Sequence, residues 1–315
     1  ARAGCRRIVG TVGSSGGPML TGLSPGQARV DEHGRVVGAC LSPASAKRWA
    51  QSGFAALPRD VHAVPWEGSD LVTHPWHVLD QLQSALQADL GLPGVKQVAA
   101  TARLQPGVVL SADSGPIYID QDAVIGANSV IEGPCYIGPH AVVQPLSLIR
   151  GNTVIGPWCK VGGEISFTVI QGYTNKAHAG FLGHALVGEW VNLGADTTVS
   201  NLKNTYGPVR VQLSPGSPAI DTGRTFQGPV IGDFVRTAIG TRLVTGACAG
   251  TGAMIALSTF APKMAQPFGF HTDEGCQPAE IEKFLATARA MMARRQQTLS
   301  AAHEKRLREL AKASS

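Results

Sequence analysis

Two histidines six residues apart, His178 and His184, stand in the run Asn175-Lys176-Ala177-His178-Ala179-Gly180-Phe181-Leu182-Gly183-His184. An imidazole titrates near neutral pH, so an outward-facing histidine is suited to take a proton from an attacking nucleophile. A second polar run, Trp190 to Gly207, carries Asn192, Asn201, Lys203 and Tyr206. Asn192 and Asn201 can hydrogen-bond sugar hydroxyls or an amine, and Lys203 can hold a phosphate. Asparagines also stack into structural ladders in β-rich repeats, so the cluster, more than any one residue, points to chemistry. His178 is the candidate base; Asn192, Asn201, Lys203, Lys176 and Tyr206 are candidate binding residues; His184 and Glu164 are secondary candidates. No residue is assigned to a metal.

The elements that must position these groups are set by a repeat. Ile119, Ile125, Ile131, Ile137, Val143, Ile149, Ile155 and Val161 follow one another at a spacing of six. Four positions after each of the first seven stands a small residue: Ala123, Ser129, Cys135, Ala141, Ser147, Thr153 and Cys159. A period of six suits a solenoid whose coil has three flat faces, with one hexapeptide per face and about 18 residues per coil. Aliphatic and small residues then alternate inward to fill a narrow prism. After Val161 the phase slips by two residues, and the expected inward positions become Val169, Asn175, Phe181, Val187, Leu193 and Val199. Residues 201–228 break the pattern as a loop, and the period returns at Ile231, Thr237, Leu243, Ala249 and Ile255. Positions three after an inward residue face outward, and this counting places His140, His178 and His184 on the surface.

The ends differ. Residues 1–70 mix strand-like and Gly/Pro-rich pieces, and Pro75–Leu90 has a helical apolar spacing (Trp76, Leu79, Leu82, Leu86, Leu90). Another helical stripe recurs within 278–312, at Ile281, Phe284, Leu285, Ala288, Met291 and Met292. The expected fold is mainly β: a left-handed parallel β-helix over residues 96–265, a small mixed N-terminal region over 1–95, and a C-terminal α-helical tail over 266–315. The handedness comes from families with hexapeptide repeats, not from the period.

Composition narrows the function classes. With 43% hydrophobic residues and a net charge of only +5, the chain is not a disordered polyelectrolyte. Its 38 glycines and 20 prolines argue against a helical bundle. The tail from Gln277 onward carries +4 of that charge, leaving a nearly neutral body that is a poor match for nucleic acid. No apolar run reaches 18 residues, which speaks against a membrane-spanning helix. The 6 cysteines include no C-x-x-C pair and are expected as free or buried thiols of a reducing compartment. No secretory leader pattern stands at the beginning, and cytoplasm is the expected location. The glycine-rich stretch Gly10–Gly17 lacks the G-K-[ST] of a phosphate loop and is expected to form turns.

The hexapeptides followed by N-K-x-H-x-G-F-L-G-H and N-L-G-A-x-T-x-x-S-N-L-K-N-x-Y-G resemble the C-terminal half of the bifunctional N-acetylglucosamine-1-phosphate uridyltransferase/glucosamine-1-phosphate acetyltransferases. The nearest likeness is to their sugar nucleotidyltransferase-like branch. The resemblance spans roughly residues 70–295 and is most specific around 160–207. It implies that His178 deprotonates a sugar amine, which attacks the thioester of acetyl-CoA at a site between the subunits of a homotrimer. It also implies that Asn201 helps bind the sugar and its amine, and that Asn192 matches a second asparagine of the same region. The expected partners are an amino-sugar phosphate and acetyl-CoA as co-substrate, with Mg only if a complete nucleotidyltransferase domain exists.

The chain departs from that pattern. A tyrosine near the base is replaced by Phe181, Asn-Tyr-Asp-Gly by Asn201-Leu202-Lys203-Asn204, and an arginine is absent from Gly138–Pro145, where Val142 and Gln144 stand. Lys176, Lys203 and Arg150 are the basic residues at hand to replace lost phosphate contacts. Residues 1–90 look like part of a nucleotidyltransferase domain without its phosphate-binding signature. Three other readings stand beside acetyl transfer: nucleotidyl transfer by a part missing here, a non-catalytic trimeric scaffold, and a zinc hydratase of the gamma-carbonic-anhydrase kind built on His140, His178 and His184.

Overall fold

The computed structural model describes residues 6–9, 22–31, 33–52, 57–66, 72–91 and 94–314. Gly10–Gly17 and Cys5 lie outside the described residues. Two compact units are present, Ala1–Gln81 and Leu82–Ser315.

The first unit contains a four-stranded sheet in the spatial order Arg6–Val9, Val36–Leu41, Gln27–Val30, His62–Pro65. The helix Pro43–Gln51 begins where its sequence dictates: the Ser42 hydroxyl accepts from the Ser45 amide, and Pro43 fills the first turn, where no donor is needed. Its Ala46 and Trp49 pack with Ala28, Ala39 and Leu41 of the sheet. The helix expected from the spacing of Trp76 to Leu90 is observed as His77–Leu90, with Leu79, Leu82 and Leu86 buried.

The second unit is a parallel β-solenoid followed by helices, consistent with left-handed winding. Its first face stacks nine strands, from Lys96–Val98 to Met264–Ala265. The second face stacks Arg103–Leu104, Val124–Ile125, Val142–Val143, Lys160–Val161 and Asn175–Lys176. It continues through single bridges at Asn192 into Arg236–Thr237, Met254–Ala256 and Gly269–Thr272. The third face runs from Val109–Ser111 to Phe181–Gly183, and below it Thr198–Val199 pairs with Arg242–Leu243.

The hexapeptide reading maps directly onto this prism. Ile119, Ile125 and Ile131 lie on the first, second and third faces and are each 0% exposed. The small residues from Ala123 to Cys159 share the interior with them. Each fully buried aliphatic contributes about 1.5–3 kcal/mol. At six of the seven corners that follow Ile119 to Ile155 the chain turns at the third residue after the inward aliphatic, where Asp122, Asn128, His140, Leu146, Asn152 and Trp158 have positive φ; Pro134 takes that place after Ile131. Burial pushes the thiols of Cys135 and Cys159 up to about 12, so these inward cysteines behave as small apolar groups. Among the described cysteines none is in a disulfide.

The expected register after Val161 is corrected by one residue over part of its length. Ile165, Ile170, Lys176 and Leu182 point inward, where Val169, Asn175 and Phe181 were expected. The slip is divided between shortened corners, so that Ile170 pairs with Ile155, only 15 residues earlier. Hydrophobicity misled the reading because one inward residue is a lysine. From Val187 onward the expected inward residues are buried, including Leu193, Val199 and, beyond the loop, Ile231, Thr237, Leu243, Ala249 and Ile255.

Along the edge between the first and second faces, corner aromatics stack. His140 lies on Trp158 at 4.3 Å, and Tyr173 on Trp190 at 4.3 Å. The C-terminal helices Ile281–Ala293 and Ala301–Ser314 cover the lower part of this edge, burying Phe284, Leu285, Ala288, Met292 and Leu307 against Trp190, Phe234 and Phe268. No described helix is long and apolar enough to cross a membrane.

Candidate active site

His178 is exposed, on the loop Ala177–Gly180 that joins the second and third faces. The loop is held from inside the prism. Lys176 is 2% exposed, and its Nζ donates to the carbonyls of His178 (2.6 Å), Gly162 (2.9 Å) and Ala179 (3.2 Å). Burial lowers the Lys176 pKa to about 8, against the opposing pull of Asp196. Three carbonyl acceptors are what allow an ammonium to occupy an aliphatic position. Lys176 was expected among the binding residues; its ammonium is instead engaged within the coil.

Asn175, beside it on the strand, faces outward. Its Nδ2 donates to Asn192 Oδ1 at 3.3 Å, and its Oδ1 accepts from Arg295 Nη2 at 2.8 Å. Asn192 thus sits in an asparagine ladder on the second face, near the His178 loop. Arg236 follows Asn192 in the same row.

His184 lies elsewhere, at the corner between the third and first faces, with φ of +49°. Its ring is stacked between Phe167 (4.9 Å) and Phe226 (5.2 Å). Asn201 Nδ2 donates to its Nδ1 at 2.9 Å, which leaves the proton of the neutral ring on Nε2. Burial, aided by Arg224, lowers the His184 pKa to about 4. A Cβ at Gly183 would press on the tip of the Phe181 ring and approach Asn201 Nδ2 to 3.1 Å, so a larger residue there requires that ring to swing aside. Lys203 donates to the Pro208 carbonyl at 2.6 Å, and Tyr206 is 73% exposed in the same loop. Glu164, on the third face, pairs with Arg150 at 2.8 Å.

Two groupings therefore exist on different edges of one prism. His178 and Asn192 belong to the second face and the corner that follows it. His184, Asn201, Lys203 and Tyr206 belong to the next corner and its loop. The three histidines weighed for a zinc site occupy three different corners: His140 after the first face, His178 after the second, His184 after the third. His178 and His184 are each two residues after an inward side chain, not three, because of the register correction. No cluster of three or more metal-ligating side chains occurs among the described residues. Sequence reasoning missed Arg236 and Arg295, as well as the Phe167 and Phe226 rings around His184. Arg236 carried a signal, since it precedes the inward Thr237 in the resumed period.

Residues 116–151 match the family described as bacterial transferase hexapeptide (six repeats). Over 198 residues the chain is 29% identical to a protein of Sulfurisphaera tokodaii named bifunctional sugar-1-phosphate nucleotidylyltransferase/acetyltransferase; the match covers 62% of this chain and 47% of that protein. The chain thus spans about half the length of this curated relative. Two solved structures are similar at low sequence identity. A UDP-N-acetylglucosamine acyltransferase of Francisella novicida shares 13% identity with a TM-score of 0.25, covering 70% of this chain and 78% of that one. PerB of Caulobacter crescentus, in complex with CoA and GDP-perosamine, shares 13% with a TM-score of 0.22, covering 79% and 83%. Scores this low carry no argument about activity.

Proposed function

We propose that this protein is an acetyltransferase that moves an acetyl group from acetyl-CoA to the amine of an amino-sugar phosphate, working as a cytoplasmic homotrimer. The observation that carries this reading is His178 itself. It is an exposed imidazole on a surface loop whose backbone is fixed by a buried ammonium, beside a polar row on the neighbouring face. Support comes also from the hexapeptide match and from the name of the Sulfurisphaera tokodaii relative.

In this mechanism His178 accepts a proton from the sugar amine as its nitrogen attacks the thioester carbonyl. The new C–N bond forms, the C–S bond breaks, and CoA leaves as the thiolate that His178 then protonates. Locking the loop through Lys176 keeps the imidazole in place with little reorganisation at the moment of reaction. Asn192 orients the acceptor from the second face. Asn201, Lys203 and Tyr206 lie on another edge, so they can share a site with His178 only if the edge of a second copy approaches. A homotrimer, which the resemblance implies, would bring two such edges together. Thiol release from acetyl-CoA, measured against a panel of amino-sugar 1-phosphates, tests the proposal. Release that depends on the acceptor is expected, and none with any acceptor would refute it.

A further inference from the structure

Down the outer surface of the second face, Lys160, Asn175, Asn192 and Arg236 occupy successive rungs, about 4.8 Å apart. Asn175, in this row, stands three residues before His178. Arg295, from the end of the helix Ile281–Ala293, reaches over it.

Hydrogen bonding in this row runs in one direction. Arg295 donates to Asn175 Oδ1, and Asn175 Nδ2 donates to Asn192 Oδ1. Asn192 Nδ2 has no acceptor among the described residues. The next rung is Arg236, whose Nε is sealed from solvent and has no hydrogen-bond partner. Burial alone acts on the Arg236 pKa, lowering it, and no carboxylate offsets this. Lys160, Arg236 and Arg295 form no ion pair among the described residues. Burying part of a guanidinium without a counter-charge costs stability, and on these two neighbouring rungs both Asn192 Nδ2 and Arg236 Nε lack an acceptor among the described residues.

We propose that Arg236, Asn192 and Arg295 form a phosphate-binding subsite on the second face, which takes the phosphate of the acceptor. This assignment rests on the acetyl-transfer reading for the identity of the acceptor, but not for the phosphate itself. The Nη groups of Arg236, which are engaged by no hydrogen bond among the described residues, offer N–H donors to phosphate oxygens, and the Asn192 amide adds another. Arg295 sets the direction of the amide chain, so its contact with Asn175 decides whether Asn192 presents a donor or an acceptor to the ligand.

The test uses the full chain and three probes: inorganic phosphate followed by phosphorus NMR, and glucosamine 1-phosphate and CoA by calorimetry. Arg236→Met is expected to weaken inorganic phosphate and glucosamine 1-phosphate at least tenfold, with CoA changed less than twofold. The melting temperature should hold or rise, because an unpaired half-buried charge is removed. Arg295→Gln is expected to weaken both phosphate probes less, by several-fold. Loss of CoA binding instead would keep the subsite but assign it to the phosphates of the co-substrate. Unchanged phosphate binding in Arg236→Met, or a sharp fall in its melting temperature, would overturn the proposal. Because inorganic phosphate needs no acetyl transfer, failure of the transferase reading would leave this result standing.

Discussion

Lys176 Nζ lies 2.6 Å from the carbonyl oxygen of His178, so the residue proposed as base is fastened by an ammonium two positions before it in the chain. The lysine occupies the site of an inward aliphatic and spends its donors on three carbonyls of two adjacent coils. Its role is positional: it shapes the loop and touches no reacting atom.

Lys176→Met should preserve the prism, since methionine fills an apolar slot of similar length, but free the loop. The expected outcome is a fall in kcat of about tenfold to a hundredfold, the scale of a misplaced catalytic group. The pH profile should keep its shape because His178 is still present. A changed profile with unaltered kcat at the optimum would contradict the positioning role.

His184 provides a stability signature of its own. Its folded pKa of about 4 lies below the ordinary histidine value, so the unfolded chain takes up the proton first as pH falls. The stability contributed by the neutral ring is therefore complete above pH about 6.5 and is lost as pH drops from there toward 4. Urea midpoints at pH 7.5 and pH 5 should differ more in the native chain than in His184→Phe. Phenylalanine already occupies the equivalent positive-φ corner at Phe167. Equal differences in the two proteins would refute the assignment.

Ile131 tests the prism. It is 0% exposed on the third face, and Ile131→Asp would bury an unpaired carboxylate at a cost of several kcal/mol. Loss of the cooperative thermal transition is expected, followed by circular dichroism. A folded, β-dominated spectrum with native stability would be incompatible with the inward register.

The helical cover of the first edge makes a separate prediction. Phe284 is 4% exposed and meets Phe234 and Phe268 edge to face. Phe284→Ala is expected to cost about 3–5 kcal/mol, as large aromatic truncations in packed sites do. Chemical denaturation gives the number, and a loss below 1 kcal/mol would mean that the helices are only loosely attached.

The solenoid was legible because the period of six is enforced by geometry: one inward aliphatic per face, one small residue to fill the corner. Ile119 to Val161 could be assigned to the interior from spacing alone. Legibility failed at Lys176, where hydrogen bonding to carbonyls overrides hydrophobicity, and the counting of His178 and His184 slipped with it. The pairing of Asn201 with His184 was not readable either, since it joins residues 17 positions apart across a corner whose length the sequence does not declare. Arg295 and Asn175, separated by 120 positions, meet only because the C-terminal helices fold back along the prism.

The central claim is that His178 removes the proton of the attacking amine. The most direct measurement is the turnover of acetyl-CoA with an amino-sugar 1-phosphate by His178→Ala, alongside its binding of acetyl-CoA. The account predicts a kcat lowered by about 10²–10⁴-fold, the usual share of general-base catalysis, with acetyl-CoA affinity and assembly state unchanged. Full turnover by His178→Ala would contradict it.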